Sequence, residues 1–106
     1  MRKINHFGVP TLEKKENENY VEGMKVHLTS YADSQNKIEF LRFEEGSWLP
    51  EIIQKVPHIA YEVPCMETAL KDAEVIVEPL RASDNLTIAF IVEEGIPIEL
   101  MCFDKC

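Results

Sequence analysis

The chain is short of the residues that several broad protein classes require. It has no apolar run near the ~20 residues that cross a bilayer, and the longest, Leu86 to Val92, is interrupted by Thr87. Basic residues are outnumbered, 11 Lys and Arg against 19 Asp and Glu, for a net charge of −8. Nucleic acid and anionic membrane are bound through a surplus of cations that replaces counterions, so neither is an expected partner. Cysteine is sparse and odd in number, with only Cys65, Cys102 and Cys106. Without a secretory signal, that count points to reduced thiols, and no second pair completes a structural zinc site beside Cys102 and Cys106. Arg2 and Lys3 are not followed by an apolar stretch. No export signal is therefore expected, and the cytoplasm is the expected address.

What is present fits one small folded domain over residues 1–106, with 45% hydrophobic and 28% charged residues and little core to spare. Ile4 to Val9 reads as a strand stopped by Pro10. Thr11 to Gly23 is acidic, with too few apolar residues for a helix stripe, and reads as loop. Met24 to Tyr31 and Lys37 to Glu44 read as strands around a turn at Ala32–Asn36. Pro50 to Lys55 suggests one or two helical turns. After Pro57 come a strand over His58 to Val63 and a helix over Met66 to Ala73. A brief strand at Val75 to Val77, a turn over Leu80 to Asn85 and strands over Leu86 to Val92 and Ile96 to Phe103 complete the chain. Such interleaving is α+β.

The two halves repeat one another. His6-Phe7-Gly8-Val9-Pro10 answers His58-Ile59-Ala60-Tyr61, each a strand headed by histidine. Ile38-Glu39-Phe40-Leu41-Arg42-Phe43 answers Ile98-Glu99-Leu100-Met101-Cys102-Phe103. The repeat divides the chain into module one (about 1–45), a connector (46–56) and module two (about 57–106). Strand alternation puts Glu39 with Leu41 and Phe43, and Glu99 with Met101 and Phe103. A carboxylate among such neighbours needs a partner, and a cation or metal ion would supply one.

On these residues the chain resembles the vicinal oxygen chelate superfamily, which includes glyoxalases, bleomycin-resistance proteins and extradiol dioxygenases. The resemblance covers most of the chain and is strongest from about Val56 onward. It implies paired βαβββ modules whose mixed sheet curls into a cup, the first module with a reduced helix. It also implies metal ligands at His6, Glu39, His58 and Glu99, a set similar to that of bacterial glyoxalase I. Nitrogen and oxygen donors without thiolate suit nickel, zinc, cobalt, manganese or iron without choosing among them. The implied activity is that of a metal-dependent isomerase or lyase acting on a small vicinal-oxygen substrate through an enediolate-like intermediate, with Glu39 or Glu99 as the catalytic base. A non-catalytic module that binds or sequesters a small molecule, and a metal-dependent oxygenase, are the alternatives. No counterpart of a coenzyme A or thiol-cofactor pocket stands out. A homodimer is expected, because so small a core and cup-shaped sheets leave edges to cover.

Four further residues have plainer readings. His27 has no repeat partner and reads as structural. Trp48 reads as a plug holding the connector to the core, or else as a lid or dimer contact. Arg42 is expected to meet solvent or a neighbouring acid, and Arg81 to be a solvated turn residue.

Overall fold

The computed structural model describes residues 1–103 and is built on a single eight-stranded mixed sheet. Its first half holds β1 (Lys3–Pro10), β2 (Asn19–Val21), β3 (Val26–Leu28) and β4 (Ile38–Phe43). A short helix, α1 (Glu51–Lys55), precedes the second half. There follow β5 (His58–Glu62), α2 (Met66–Leu70), β6 (Glu74–Ser83), β7 (Leu86–Glu93) and β8 (Ile96–Cys102). The strand order is β2-β3-β4-β1-β5-β8-β7-β6. β1 runs parallel to β4 and β5 parallel to β8, while β1 and β5 meet antiparallel at the middle.

The registers of the two halves match. Gly8 lies opposite Glu39 in one, and Ala60 opposite Glu99 in the other. Across the central pair, His6 faces Ala60 and Gly8 faces His58. The halves are thus related by an approximate two-fold passing between β1 and β5, with His6 equivalent to His58 and Glu39 to Glu99. A one-residue slip in any of these pairings would turn a histidine or glutamate to the other face. The sheet curls into a half-barrel.

The two faces have different covers. On the face that carries the histidines, Ala60, Ile88, Phe90 and Met101 pack with Leu49 and Ile53 from the connector. On the other, α2 lays Met66 against Ala89, Ile91, Ile98 and Leu100. No helix takes the corresponding place in the first half. The 11–18 segment is irregular, and its Lys15 ammonium sits 4.4 Å above the Phe40 ring. Glu18 ties this segment down through a two-pronged pair with Arg42 at 2.7 and 2.9 Å. That guanidinium, more than burial opposes it, holds the Glu18 carboxyl down at about 2. His27 joins the same network, 2.7 Å from Glu44.

Several sequence expectations are corrected here. Asn19–Val21 is a strand rather than loop, because it can pair with β3. β6 runs unbroken past Pro79 to Ser83, where a brief strand and a turn were expected. It is one of the two edge strands, pairing among the described residues only with β7, and its register shifts between Val77 and Leu80 absorb the missing amide hydrogen of Pro79. Arg81 is therefore a strand residue. Cys106 lies outside the described residues.

Helix α1 begins just after Pro50, and an ion pair of 3.2 Å joins Glu51 to Lys55 one turn on. Its Ile53 is fully buried. Ile53→Ala should lower unfolding free energy by about 2–5 kcal/mol, read as a reduced urea midpoint with unchanged slope. A loss under about 1 kcal/mol would mean that the connector is not part of the core.

Candidate metal centre

The matched registers bring four side chains to one place. One nitrogen or carboxylate oxygen from each of His6, Glu39, His58 and Glu99 lies within 4.8 Å of the others. The Glu99 oxygen is 3.1 Å from His58 Nε2 and 3.5 Å from His6 Nε2. Glu39 approaches the same His6 nitrogen, also at 3.5 Å. Both histidines are 2% exposed, so neither can turn to water. His6 Nε2 is buried and lacks an aligned hydrogen-bond partner among the described residues, although it sits between two carboxylates.

The tautomer of His6 follows from its other contacts. The Asn5 side-chain amide donates to Glu62 Oε2 at 2.7 Å, and a carboxylate can only accept. Asn5 Oδ1 must then point the other way, where it meets His6 Nδ1 at 2.7 Å. Nδ1 therefore carries the proton it donates, and the lone pair of a neutral imidazole is left on Nε2, facing the centre. Tyr31, from a 3-10 turn over Tyr31–Asp33, stacks on the same ring at 4.2 Å between centroids and 10° between planes. Burial, then the nearby acids Glu39, Glu99 and Glu62, raise the Tyr31 phenol, which keeps it protonated.

His58 is held differently. It is preceded by Pro57 in place of an asparagine, and its Nδ1 has no hydrogen-bond partner among the described residues. Packing fixes this ring instead. It lies edge-on to Phe90 at 5.2 Å and flat across Gly8, where a Cβ would come within 2.0 Å of Cε1. Gly8 is required for that reason.

The electrostatics explain how such a cluster is stable. Burial opposes charge on His6, but the Glu39 and Glu99 carboxylates more than offset it and raise the imidazole to about 9. Burial likewise pushes Glu99 up, and His58 and His6 more than reverse it, leaving the carboxyl at about 2. Two acids and two imidazoles around one point are a mixed oxygen and nitrogen donor set lacking one cation. A proton on His6 supplies part of that charge, and a divalent ion fits the same place. The four residues can hold a metal ion.

Around the centre the sheet encloses a cavity of about 470 Å³. Val26 and Leu28 of β3 and Leu80 and Ile88 of β6 and β7 all line it, so both ends of the curled sheet close on one space. Trp48, half exposed, also lines it and donates from its indole nitrogen to Gly23 O at 2.7 Å.

No protein-family model and no curated protein matches the sequence. Solved structures do match. A hypothetical protein from Bacillus halodurans superposes with a TM-score of 0.72 at 20% identity, over 99% of this chain and 96% of that one. A methylmalonyl-CoA epimerase from Mycobacterium tuberculosis gives a TM-score of 0.59 at 17% identity, over 95% and 87%. The chain has the vicinal oxygen chelate fold. At such identities the likeness concerns the fold alone.

Within that fold, all four residues singled out from the sequence stand together. His27 and Arg42 lie in the Glu18 network away from the centre, and Arg81 reaches the cavity rim. Sequence reading missed Asn5, Tyr31 and Gly8. Asn5 sits within the shift of the β1–β5 register between Ile4 and His6, so simple alternation would have turned it from the site. Tyr31 lies outside any strand. Gly8 carried a visible signal, since it stands where the second half has Ala60.

Gly8→Ala should displace the His58 ring and weaken zinc binding at least 100-fold, with a loss of about 1–3 kcal/mol in stability. Calorimetric titration with zinc checks the affinity and urea unfolding the stability, and unchanged zinc affinity would contradict the packing account of His58. The metal-free protein should also depend on pH. His6, raised above its unfolded value of about 6.5, contributes stability that is complete below that value and is lost as pH rises through about 9. Glu99 contributes above about 4.5 and loses its share as pH falls towards about 2. The melting temperature without metal should therefore fall between roughly pH 7 and 9.5, and a flat profile there would refute the assignment.

Proposed function

We propose that the chain is a metal-dependent enzyme of the vicinal oxygen chelate superfamily, an isomerase or lyase of glyoxalase type. The observation that carries this reading is the convergence of His6, Glu39, His58 and Glu99 at the floor of an apolar-walled cavity. The orphaned His6 Nε2 and the paired acids fit a divalent ion of the nickel, cobalt, zinc, manganese or iron group. When bound, that ion supplies Lewis acidity towards two adjacent substrate oxygens, which makes a neighbouring C–H easier to ionise.

The chain's own residues divide the remaining work. His6 and His58 are the fixed donors, one pinned by Asn5 and Tyr31 and the other by Gly8 and Phe90. Glu99 is gripped by both histidines and stays an anion. Among the described residues Glu39 meets only His6, at 3.5 Å, so it is the arm that can swing. It takes the proton from the substrate carbon onto a carboxylate oxygen and returns it to the same or the adjacent carbon. The cavity walls exclude water while the charge is present.

A binding module without catalysis is the second reading, favoured by the apolar character of those walls. Elemental analysis of protein purified without chelator or His-tag should find about one divalent ion per chain, and His58→Ala less than a tenth of that. Proton exchange at the carbinol carbon of hydroxyacetone in D2O, followed by NMR, should need the ion and fall at least 100-fold in Glu39→Gln. Full metal content in the His58 variant would refute the site. A bound ion with no exchange would select the binding module.

A further inference from the structure

The cavity walls limit what can reach the centre. Two carboxylates and one divalent ion sum to no formal charge, so the floor offers no surplus positive charge to a polyanion. Apart from the site histidines, the lining holds one cationic side chain among the described residues, Arg81. That arginine is exposed at the rim, and its guanidinium donates to the Asp84 carbonyl at 3.3 Å. Phosphate and diphosphate recognition uses several Arg or Lys donors or a helix N-terminus. The helices here are five residues long, and the chain carries eight surplus negative charges.

Apart from the Tyr31 phenol, the Trp48 indole and Gly23, the rest of the lining is hydrocarbon. Val26, Leu41, Leu80, Ile88, Phe90 and Met101 surround the floor, drawn from strands of both halves. A cavity of about 470 Å³ takes a group the size of a phenyl or branched alkyl chain together with the two chelating oxygens. Apolar surface placed there leaves water, whereas a bare two-carbon chelator leaves most of the wall unused.

We propose that the ligand of this site is a compact vicinal dioxygen compound of low charge bearing one hydrocarbon substituent, with at most a single carboxylate for Arg81 to meet. Nucleotide-bearing thioesters are outside this class, although a structural neighbour is a methylmalonyl-CoA epimerase. The proposal rests on the metal-site reading above and adds the identity of what the walls select.

The test uses the full chain loaded with zinc and three probes, benzohydroxamate, acetohydroxamate and acetyl-CoA. Trp48 is the only tryptophan and lines the cavity, so its emission reports occupancy. Benzohydroxamate should bind at least tenfold tighter than acetohydroxamate, and acetyl-CoA more weakly than either. Leu80→Asn, at a half-buried wall position, should remove most of the ring preference and leave acetohydroxamate affinity within about twofold. Equal affinity for the two hydroxamates, or acetyl-CoA as the tightest probe, overturns the proposal. Zinc content measured on the same samples separates the two failures. Zinc absent overturns the metal reading and this proposal with it, whereas zinc retained without ring preference overturns this proposal alone.

Discussion

Glu39 and Glu99 each bring a carboxylate oxygen to 3.5 Å from one buried imidazole nitrogen. All the donor atoms of the cluster lie within 4.8 Å of one another. Two negative charges at that separation repel by roughly 3–4 kcal/mol at an effective dielectric of about 20, before any cost of burial is added. Such a pair persists only with a cation between its members. In the absence of metal, His6 takes that role by holding its proton to about 9. Any ion that enters competes with that proton, so metal affinity should rise with pH until the imidazole is free.

The sheet makes the placement possible. Its two halves carry the same register, so one geometric solution is used twice and the antiparallel β1–β5 pair brings the copies face to face. The supports around the copies are nonetheless unlike. His6 has a hydrogen-bonded chain through Asn5 to Glu62 and a stacked tyrosine. His58, beyond its contact with Glu99, is held by packing against a glycine and a phenylalanine. The glutamates differ in the same way, one held by two imidazoles and the other by one. A symmetric frame with unequal supports gives a fixed side and a yielding side, the division of labour that the proposed proton transfer would use.

Much of this was legible in the sequence because the relevant signals are local. The Ile-Glu strands and the His-led strands announced themselves by repetition, and period-two alternation put both glutamates on the buried face. The polar Thr11–Gly23 stretch correctly argued against a helix in the first half. The features that escaped depend on pairing or on irregularity. β2 is three residues long and exists because β3 lies beside it. β6 continues through Pro79 only because an edge strand can leave an amide position unused. Asn5 acts from beside a shift in strand register, and Tyr31 from a 3-10 turn. No periodicity marks either residue as a neighbour of His6.

The central claim is that one divalent ion is held by two imidazoles and two carboxylates drawn equally from both halves. X-ray absorption at the metal edge of the cobalt-loaded chain tests this most directly. The account predicts nitrogen and oxygen scatterers at about 2.0–2.2 Å, with outer-shell scattering that fits two imidazole rings and falls to one in His6→Ala. A first shell containing sulfur, or one with no imidazole signature, would contradict it.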